Sequence, residues 1–133
     1  KIKPVTVTSG QASMYCDFGD AGSENEMCGT IYLGKNYDYQ EIRSFDKTDF
    51  AQYQWENFNS TSKTFSLSNT SDLICYRSEG MYEDDVTNND SCSNASGSIS
   101  LSTLKTNTSP FTYEIWGSGG NPIRLRIVLY FSD

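Results

Sequence analysis

Acidic side chains are concentrated in two short segments of the sequence, where they could bind a metal ion. Residues 17–26 and residues 83–90 each contain four carboxylates. Calcium takes about six to eight oxygen ligands, which loops of this composition can supply. The spacing matches no EF-hand loop, so a solvated loop that aids solubility is the simpler interpretation. We therefore expect at most weak calcium binding, and the candidate ligands are Asp17, Asp20, Asp84 and Asp85.

The four cysteines are the second set of residues with chemical potential. They fall into two local pairs, Cys16 with Cys28 and Cys75 with Cys92. Four cysteines allow three pairings, and the sequence alone cannot choose among them, but the local pairing is the simplest because each pair brackets one acidic segment. Each bridge would contribute about 3 kcal/mol on a chain-entropy argument. The spacing predicts two local disulfides; four free thiols in a cytosolic chain are the alternative.

The residue types give little support for an enzymatic function. The chain has no histidine, which excludes a Ser-His-Asp triad, a Cys-His dyad and zinc sites built on imidazole. Paired carboxylates could hydrolyse a glycosidic bond, but nothing singles out one pair among the 17 acidic residues. We predict a protein that is not an enzyme and that has no cofactor beyond weakly bound calcium.

The charge balance limits the choice of partners. The chain has 10 basic and 17 acidic side chains and a net charge of -7. That balance argues against nucleic acid or an anionic membrane surface as the main partner. The sequence contains no run of 18 apolar residues, so we expect no insertion into a membrane.

Several aromatic residues are candidates for stacking on a ligand such as a sugar ring. Packing in the core explains most aromatic residues more simply. The candidates are Tyr37, Tyr39, Tyr53, Trp55 and Trp116, of which Tyr37 and Tyr39 share a face in a polar stretch. Five Asn-X-Ser/Thr sequons would mark surface loops if the protein were glycosylated, and they begin at Asn59, Asn69, Asn89, Asn94 and Asn107.

Short alternating segments separated by turn residues predict an all-β fold. About eight such segments favour an antiparallel sandwich or barrel, which we expect to form a single domain over residues 1–133. The strongest segment is Ile123–Phe131, in which apolar residues alternate with Arg124, Arg126 and Tyr130. Residues 46–57 are the one segment with helical spacing, and they predict at most one short helix.

The segment 55–82, WENFNSTSKTFSLSNTSDLICYRSEGMY, resembles the junction between two Greek keys of the βγ-crystallin superfamily. Trp55, Phe65, Tyr76 and Gly80 fall in suitable places, and the resemblance implies a Greek-key sandwich. Family members often bind calcium through an Asn/Asp pair followed by Ser/Thr-Ser. Here the second acid is missing and Lys63 intrudes, so the resemblance implies the fold rather than the calcium site.

These features together suggest a secreted, extracellular module without catalytic activity. The leading hypothesis is a structural or binding module, such as a matrix or filament subunit, whose first and last strands could pair with other protein subunits. The alternatives are a carbohydrate-binding or adhesive domain with extracellular glycans as partners, and an inhibitor of a secreted enzyme.

Overall fold

Two antiparallel β-sheets form the framework of the molecule. The computed structural model describes residues 2–17, 24–84 and 89–132. The elements in these residues, in chain order, are β1 (Val5–Cys16), β2 (Glu24–Lys35), β3 (Asp38–Ala51), β4 (Trp55–Phe58), β5 (Thr64–Leu67), β6 (Leu73–Glu83), β7 (Asp90–Ser91), β8 (Ser96–Ser100), α1 (Leu101–Leu104), β9 (Phe111–Trp116) and β10 (Ile123–Phe131).

Each sheet has two interior strands and an edge that two short strands share. The first sheet has the order β4-β1-β10-β9, with β5 pairing β1 beyond β4. The second has the order β3-β2-β6-β7, with β8 also pairing β6. The prediction of an all-β antiparallel sandwich with very little helix is therefore confirmed.

The first and last long strands lie side by side in the interior of the first sheet. β1 pairs with β10 on one side and with β4 and β5 on the other, while β10 pairs with β1 and β9. Because both strands have their backbone groups satisfied within the chain, neither offers a free edge to another subunit. This arrangement removes the physical basis for the predicted filament or matrix subunit.

Strand β10 supplies the centre of the core, as its alternation predicted. Ile123, Leu125, Ile127 and Leu129 are all fully buried. The intervening residues, Arg124 among them, lie on the outer face of the sheet and are only partly buried. One face of β10 therefore packs in the core, and the opposite face places arginine side chains on the outer surface of the sheet.

The helix predicted for residues 46–57 is wrong. This segment forms the end of β3, the connection 52–54 and most of β4, and Lys47 and Tyr53 have left-handed backbone angles, φ 51° and 62°, which interrupt any helix. The aromatic spacing has another cause, because Phe45, Phe50 and Phe58 pack edge to face with ring centres 5.1 to 6.4 Å apart.

The short helix α1 follows directly after β8. Ser100 caps it by accepting a hydrogen bond from the backbone N–H of Thr103. Leu101 and Leu104, three residues apart, are both buried. A cap followed by two apolar residues at helical spacing therefore ends β8 in a single helical turn.

The predicted disulfides are also wrong, since all four cysteines are buried free thiols. Cys92 donates its backbone N–H to Met81 of β6. Met81 lies six residues from Cys75 on the same strand, which is about 20 Å at the usual rise of a strand. A disulfide joins Cα atoms only about 4.4–6.8 Å apart, so Cys75 and Cys92 cannot bond.

The other predicted pair is divided between the two sheets. Cys16 ends β1 opposite Ile123 in the first sheet. Cys28 lies at an irregularity of β2 in the second sheet, where its sulfur accepts the backbone N–H of Lys47 at 3.4 Å. Each cysteine therefore acts as a small buried side chain within its own sheet.

Truncation of β10 tests its role as the centre of the core. Leu125→Ala and Ile127→Ala should each lower the free energy of unfolding by about 2–5 kcal/mol, because both side chains are fully buried and a cavity would remain. Thr112→Ala, at an exposed position of the neighbouring β9, should change it by less than about 0.5 kcal/mol. Denaturant titration measures all three, and unchanged unfolding of both core variants would contradict the assignment.

Thiol titration tests the corrected cysteine chemistry. Burial raises the pKa of Cys16, and burial together with the Glu83 and Asp90 charges raises the pKa of Cys92 to about 12. These thiols should therefore stay protonated and react slowly with a disulfide reagent in the folded protein. After denaturation without reductant, all four thiols should react with the reagent. A count of zero reactive thiols would instead support the two predicted disulfides.

Candidate functional site

A row of four side chains crosses the outer face of the first sheet close to one end of the sandwich. Tyr15 of β1 lies opposite Trp55 of β4 on one side and Arg124 of β10 on the other. Arg124 in turn lies opposite Trp116, the last residue of β9. Because facing residues of paired strands share one face of a sheet, the strand register alone places these four side chains next to one another.

The row is held together by aromatic and cation–π contacts. The rings of Tyr15 and Trp55 have their centres 5.7 Å apart. The guanidinium carbon of Arg124 lies 4.6 Å from the centre of the Tyr15 ring and 4.0 Å from that of Trp116. Both distances are within the range at which a cation is attracted to an aromatic face.

Two residues of the adjacent row close these contacts into a ring. The guanidinium carbon of Arg126 lies 3.9 Å from the centre of the Trp55 ring, and its Nε donates a 2.7 Å hydrogen bond to Glu114 Oε1. The other oxygen of Glu114 accepts a hydrogen bond from Nε1 of Trp116. The resulting aromatic–arginine ring consists of Tyr15, Trp55, Arg126, Glu114, Trp116 and Arg124.

The electrostatics of the ring differ between its two arginines. Partial burial acts to raise the pKa of Glu114, but the hydrogen bonds from Arg126 and Trp116 outweigh it and hold that pKa below its usual range. Arg126 is therefore engaged by a carboxylate. Arg124 makes cation–π contacts but no hydrogen bond to any residue that the structure describes.

The row lies beside one end of the sandwich, which we call the loop end. Pairing of Cys16 with Ile123, of Glu24 with Ala51 and of Met27 with Glu83 places the ends of β1, β3 and β6 and the starts of β2 and β10 there, and the connections 52–54 and 117–122 also lie at this end. Tyr53, in one of these connections, is 57% exposed, and Trp116, beside another, is 56% exposed. The loop end thus presents two large aromatic side chains to solvent.

The core becomes polar as it approaches the loop end. Asn25, Gln52 and Glu83 are all buried there, although they belong to three different segments. The side chain of Asn25 is fully buried, and neither its oxygen nor its nitrogen has a hydrogen-bond partner. A buried amide without partners is costly, so this position favours a ligand or water that could complete its hydrogen bonds.

The predicted calcium ligands fall at this end as far as they can be placed. Asp17 follows β1 and Asp84 follows β6, whereas Asp20 and Asp85 lie outside the described residues. A carboxylate oxygen of Asp84 is 3.6 Å from Nζ of Lys47. Within residues 2–17, 24–84 and 89–132, no three acidic, cysteine or histidine side chains are arranged to hold a metal ion.

Four of the predicted stacking aromatics separate into two clusters. Trp55 and Trp116 belong to the aromatic–arginine ring. Tyr37 and Tyr39 lie instead at the β2–β3 turn, at the opposite end of the sandwich, with ring centres 6.5 Å apart. The guanidinium carbon of Arg77 lies 4.8 Å from the centre of the Tyr39 ring, and Arg77 also pairs with a carboxylate, that of Glu79, at 3.2 Å.

Sequence reasoning did not assign a site role to Tyr15, Glu114, Arg124 or Arg126. The alternation of β10 did place both arginines on the face away from the core. What the sequence could not supply was the pairing of β10 with β1 and β9, which determines that these arginines meet aromatic residues from three other strands.

The sequon asparagines all lie on the surface, and glycosylation at them stays a prediction. Each of the five is exposed. The side-chain oxygen of Asn94 accepts hydrogen bonds from the hydroxyl of Ser78 and the backbone N–H of Met81, and the side-chain amide of Asn107 donates one to the backbone oxygen of Thr103. In the part of the chain that the structure describes, no helix has the length and apolar character needed to cross a membrane.

Similarity to known proteins is found in the fold and not in the sequence. No protein-family model matches the chain, and no curated protein matches its sequence. The fold is similar to a C2 domain at 8% identity and a TM-score of 0.55, covering 97% of this chain and 99% of that one.

Two further neighbours come from extended synaptotagmins. A single C2 domain of a plant extended synaptotagmin 1 matches at 10% identity and a TM-score of 0.55, covering 99% of this chain and 96% of that one. A tandem pair of C2 domains from extended synaptotagmin 2 matches at 10% identity and a TM-score of 0.57, covering 98% of this chain and 42% of that one. At these identities the similarity establishes a C2-like β-sandwich.

These neighbours correct several predictions made from the sequence. The resemblance to the βγ-crystallin superfamily is wrong, because the sandwich matches C2 domains, which form a different superfamily. The secreted, extracellular structural or glycan-binding module is also wrong, since its fold neighbours are C2 domains and the disulfides that suggested export are absent.

An acid titration tests the hydrogen bonding within the aromatic–arginine ring. Because the folded pKa of Glu114 is lowered, its contribution to stability should be complete above the ordinary glutamate value of about 4.3 and should be lost as the pH falls through the folded pKa. Trp116 donates to this carboxylate, so tryptophan emission should change in the same step. Glu114→Gln should remove the step, and Arg126→Gln should move it upward; a step at or above the ordinary value would contradict the ring.

Proposed function

We propose that the chain is a binding module without catalytic activity that docks on phospholipid membrane surfaces through its loop end. C2 domains are in general non-catalytic modules that bind membrane lipids and proteins, commonly with calcium. For this chain, the proposal rests on three features that lie together at one end of a C2-like sandwich. They are exposed aromatic residues, acidic residues and a buried amide without hydrogen-bond partners.

The exposed aromatic residues suit the boundary between water and lipid. Tyrosine and tryptophan favour the level of the head groups, where the ring is in an apolar layer and its polar atom stays hydrated. Tyr53 and Trp116 are more than half exposed at the loop end. Docking at this end would give their apolar surface a favourable environment without inserting a segment of chain across the membrane.

The acidic residues of the same end oppose contact with lipid phosphates unless a cation lies between them. The chain has a net charge of -7, and Asp17 and Asp84 contribute to it at the loop end. The donor types fit calcium, because carboxylate and amide oxygens are its usual ligands. Asp17, Asp84 and the unpartnered oxygen of Asn25 could contribute, and calcium would supply positive charge toward the phosphates.

Vesicle sedimentation tests this function. The whole chain should sediment with phosphatidylcholine vesicles, and more of it should sediment in calcium than in a chelator. The double variant Asp17→Asn/Asp84→Asn should lose most of the increase that calcium produces, because it removes two carboxylates from the loop end.

The matched control is Asp38→Asn, an exposed carboxylate at the start of β3 at the opposite end of the sandwich. It should retain the full response to calcium. No sedimentation with phosphatidylcholine vesicles, or with vesicles that also contain phosphatidylserine, in either calcium or chelator would contradict the proposed function.

A further inference from the structure

Arg124 differs from the other arginines that are stacked on the outer faces of the sandwich. Arg77 contacts tyrosine rings but also pairs with Glu79 at 3.2 Å, and Arg126 pairs with Glu114 at 2.7 Å. Arg124 contacts two aromatic rings and has no hydrogen-bond acceptor among the described residues. Its N–H donors are therefore available to an external anion.

The ring holds this guanidinium in place before any ligand arrives. The faces of Tyr15 and Trp116 restrict its position, and Trp116 is itself fixed by its hydrogen bond to Glu114. Ordering a long flexible side chain is a large part of the cost of binding through it, and that cost is already met here. A planar guanidinium with free N–H groups is suited to two oxygens of one phosphate or carboxylate.

The charge of the whole chain decides which anion can approach. A net charge of -7 repels polyanions such as nucleic acids and strongly anionic membranes. Arg124 lies next to Glu114, which holds Arg126 and lowers the positive charge of the surface still further. A single anionic group within a neutral molecule is therefore the favoured ligand.

The position of the ring points to a lipid rather than to a peptide. Tyr15 immediately precedes the last residue of β1, Trp55 begins β4 and Trp116 ends β9, so their row borders the loop end. If that end docks on a membrane, this row would reach the head groups. Arginine, tyrosine and tryptophan together are the residues that tolerate this layer best, since each combines an apolar body with a polar tip.

We propose that Arg124, held between Tyr15 and Trp116, binds the phosphate of a zwitterionic phospholipid head group when the loop end docks on a membrane. This inference rests on the proposed membrane binding. It adds a lipid class and a recognition site on the outer face of the first sheet, separate from the carboxylates of the loop end. The phosphate accepts hydrogen bonds from the guanidinium edge, while the exposed side of Trp116 faces the rest of the head group.

The chain provides its own spectroscopic probe of this surface. It has two tryptophans, Trp55 and Trp116, and both belong to the aromatic–arginine ring. All tryptophan emission therefore reports on the surface in question. With vesicles of phosphatidylcholine brominated in the acyl chains, emission should be quenched on binding, and Trp116→Phe should remove most of the quenching because Trp116 is the more exposed of the two.

Substitution of Arg124 tests the role of its guanidinium. Arg124→Gln should weaken binding to phosphatidylcholine vesicles by about tenfold, the effect expected for loss of hydrogen bonds to a charged group. Arg124→Lys keeps the charge but not the planar fork, and it should restore only part of the affinity. The matched control is Arg77→Gln, which removes a similarly stacked arginine from the other sheet and should leave vesicle binding unchanged.

The outcomes separate this inference from the proposed function. Absence of vesicle binding by the unaltered chain would overturn both. Vesicle binding without quenching, or equal affinities for Arg124→Gln and Arg77→Gln, would overturn the inference alone. A change of tryptophan emission with a short acidic peptide but none with vesicles would also overturn it, in favour of a peptide carboxylate. Thermal unfolding of each variant confirms that the fold is retained.

Discussion

The register between β1 and β10 is the constraint on which the rest of the structure depends. It places Leu125 opposite Met14 in the core and Arg124 opposite Tyr15 on the surface. Since the side chains of a strand alternate between faces, a slip by one residue would bury Arg124 and Arg126 and expose four fully buried apolar residues. The pairing of β1 with β10 thus produces both the hydrophobic core and the aromatic–arginine ring. Because a slip in register would expose the core at a cost in free energy, the same pairing also holds the ring in place.

The two ends of the sandwich differ in how they satisfy polar groups. At the β2–β3 turn, Asn36 bonds to Asp72, and Asp72 in turn accepts backbone N–H groups from Ser68 and Asn69. At the loop end, Asn25 is buried without a partner. The Asn36–Asp72 cluster therefore satisfies its own polar groups, whereas the buried amide of Asn25 leaves hydrogen-bonding capacity for a group outside the described residues. This contrast is the physical reason for assigning the binding function to the loop end.

The sequence predicted those features that depend on local alternation. The all-β sandwich and the buried face of β10 follow from apolar residues at every second position. Helical spacing misled the prediction for residues 46–57, because Phe50 and Phe58, the residue just after this segment, have a spacing that fits a helix but reach the core from two different strands. Cysteine spacing failed for a related reason: separation along the sequence says little about distance in space, and Cys92 lies beside Met81, six residues along β6 from Cys75.

The candidate site was also predicted only in part. Trp55 and Trp116 were predicted as site residues because aromatic side chains can stack on a ligand. Their partners were not, because Arg124 and Glu114 acquire a function only through pairing between strands that are distant in sequence. A single sequence contains no direct record of those pairings, and the fold neighbours, at 8 to 10% identity, supply the fold without the side chains.

The central claim is that the loop end and the adjoining face of the first sheet contact lipid together. The most direct measurement is nuclear magnetic resonance of the protein bound to small phosphatidylcholine bicelles that contain a lipid with a spin label at its head group. We predict strong broadening of the backbone amide signals of Tyr15, Trp116 and Arg124, with the signals of Asn36 and Tyr37 at the opposite end unaffected. Broadening confined to Asn36 and Tyr37, or spread evenly over both ends, would contradict it.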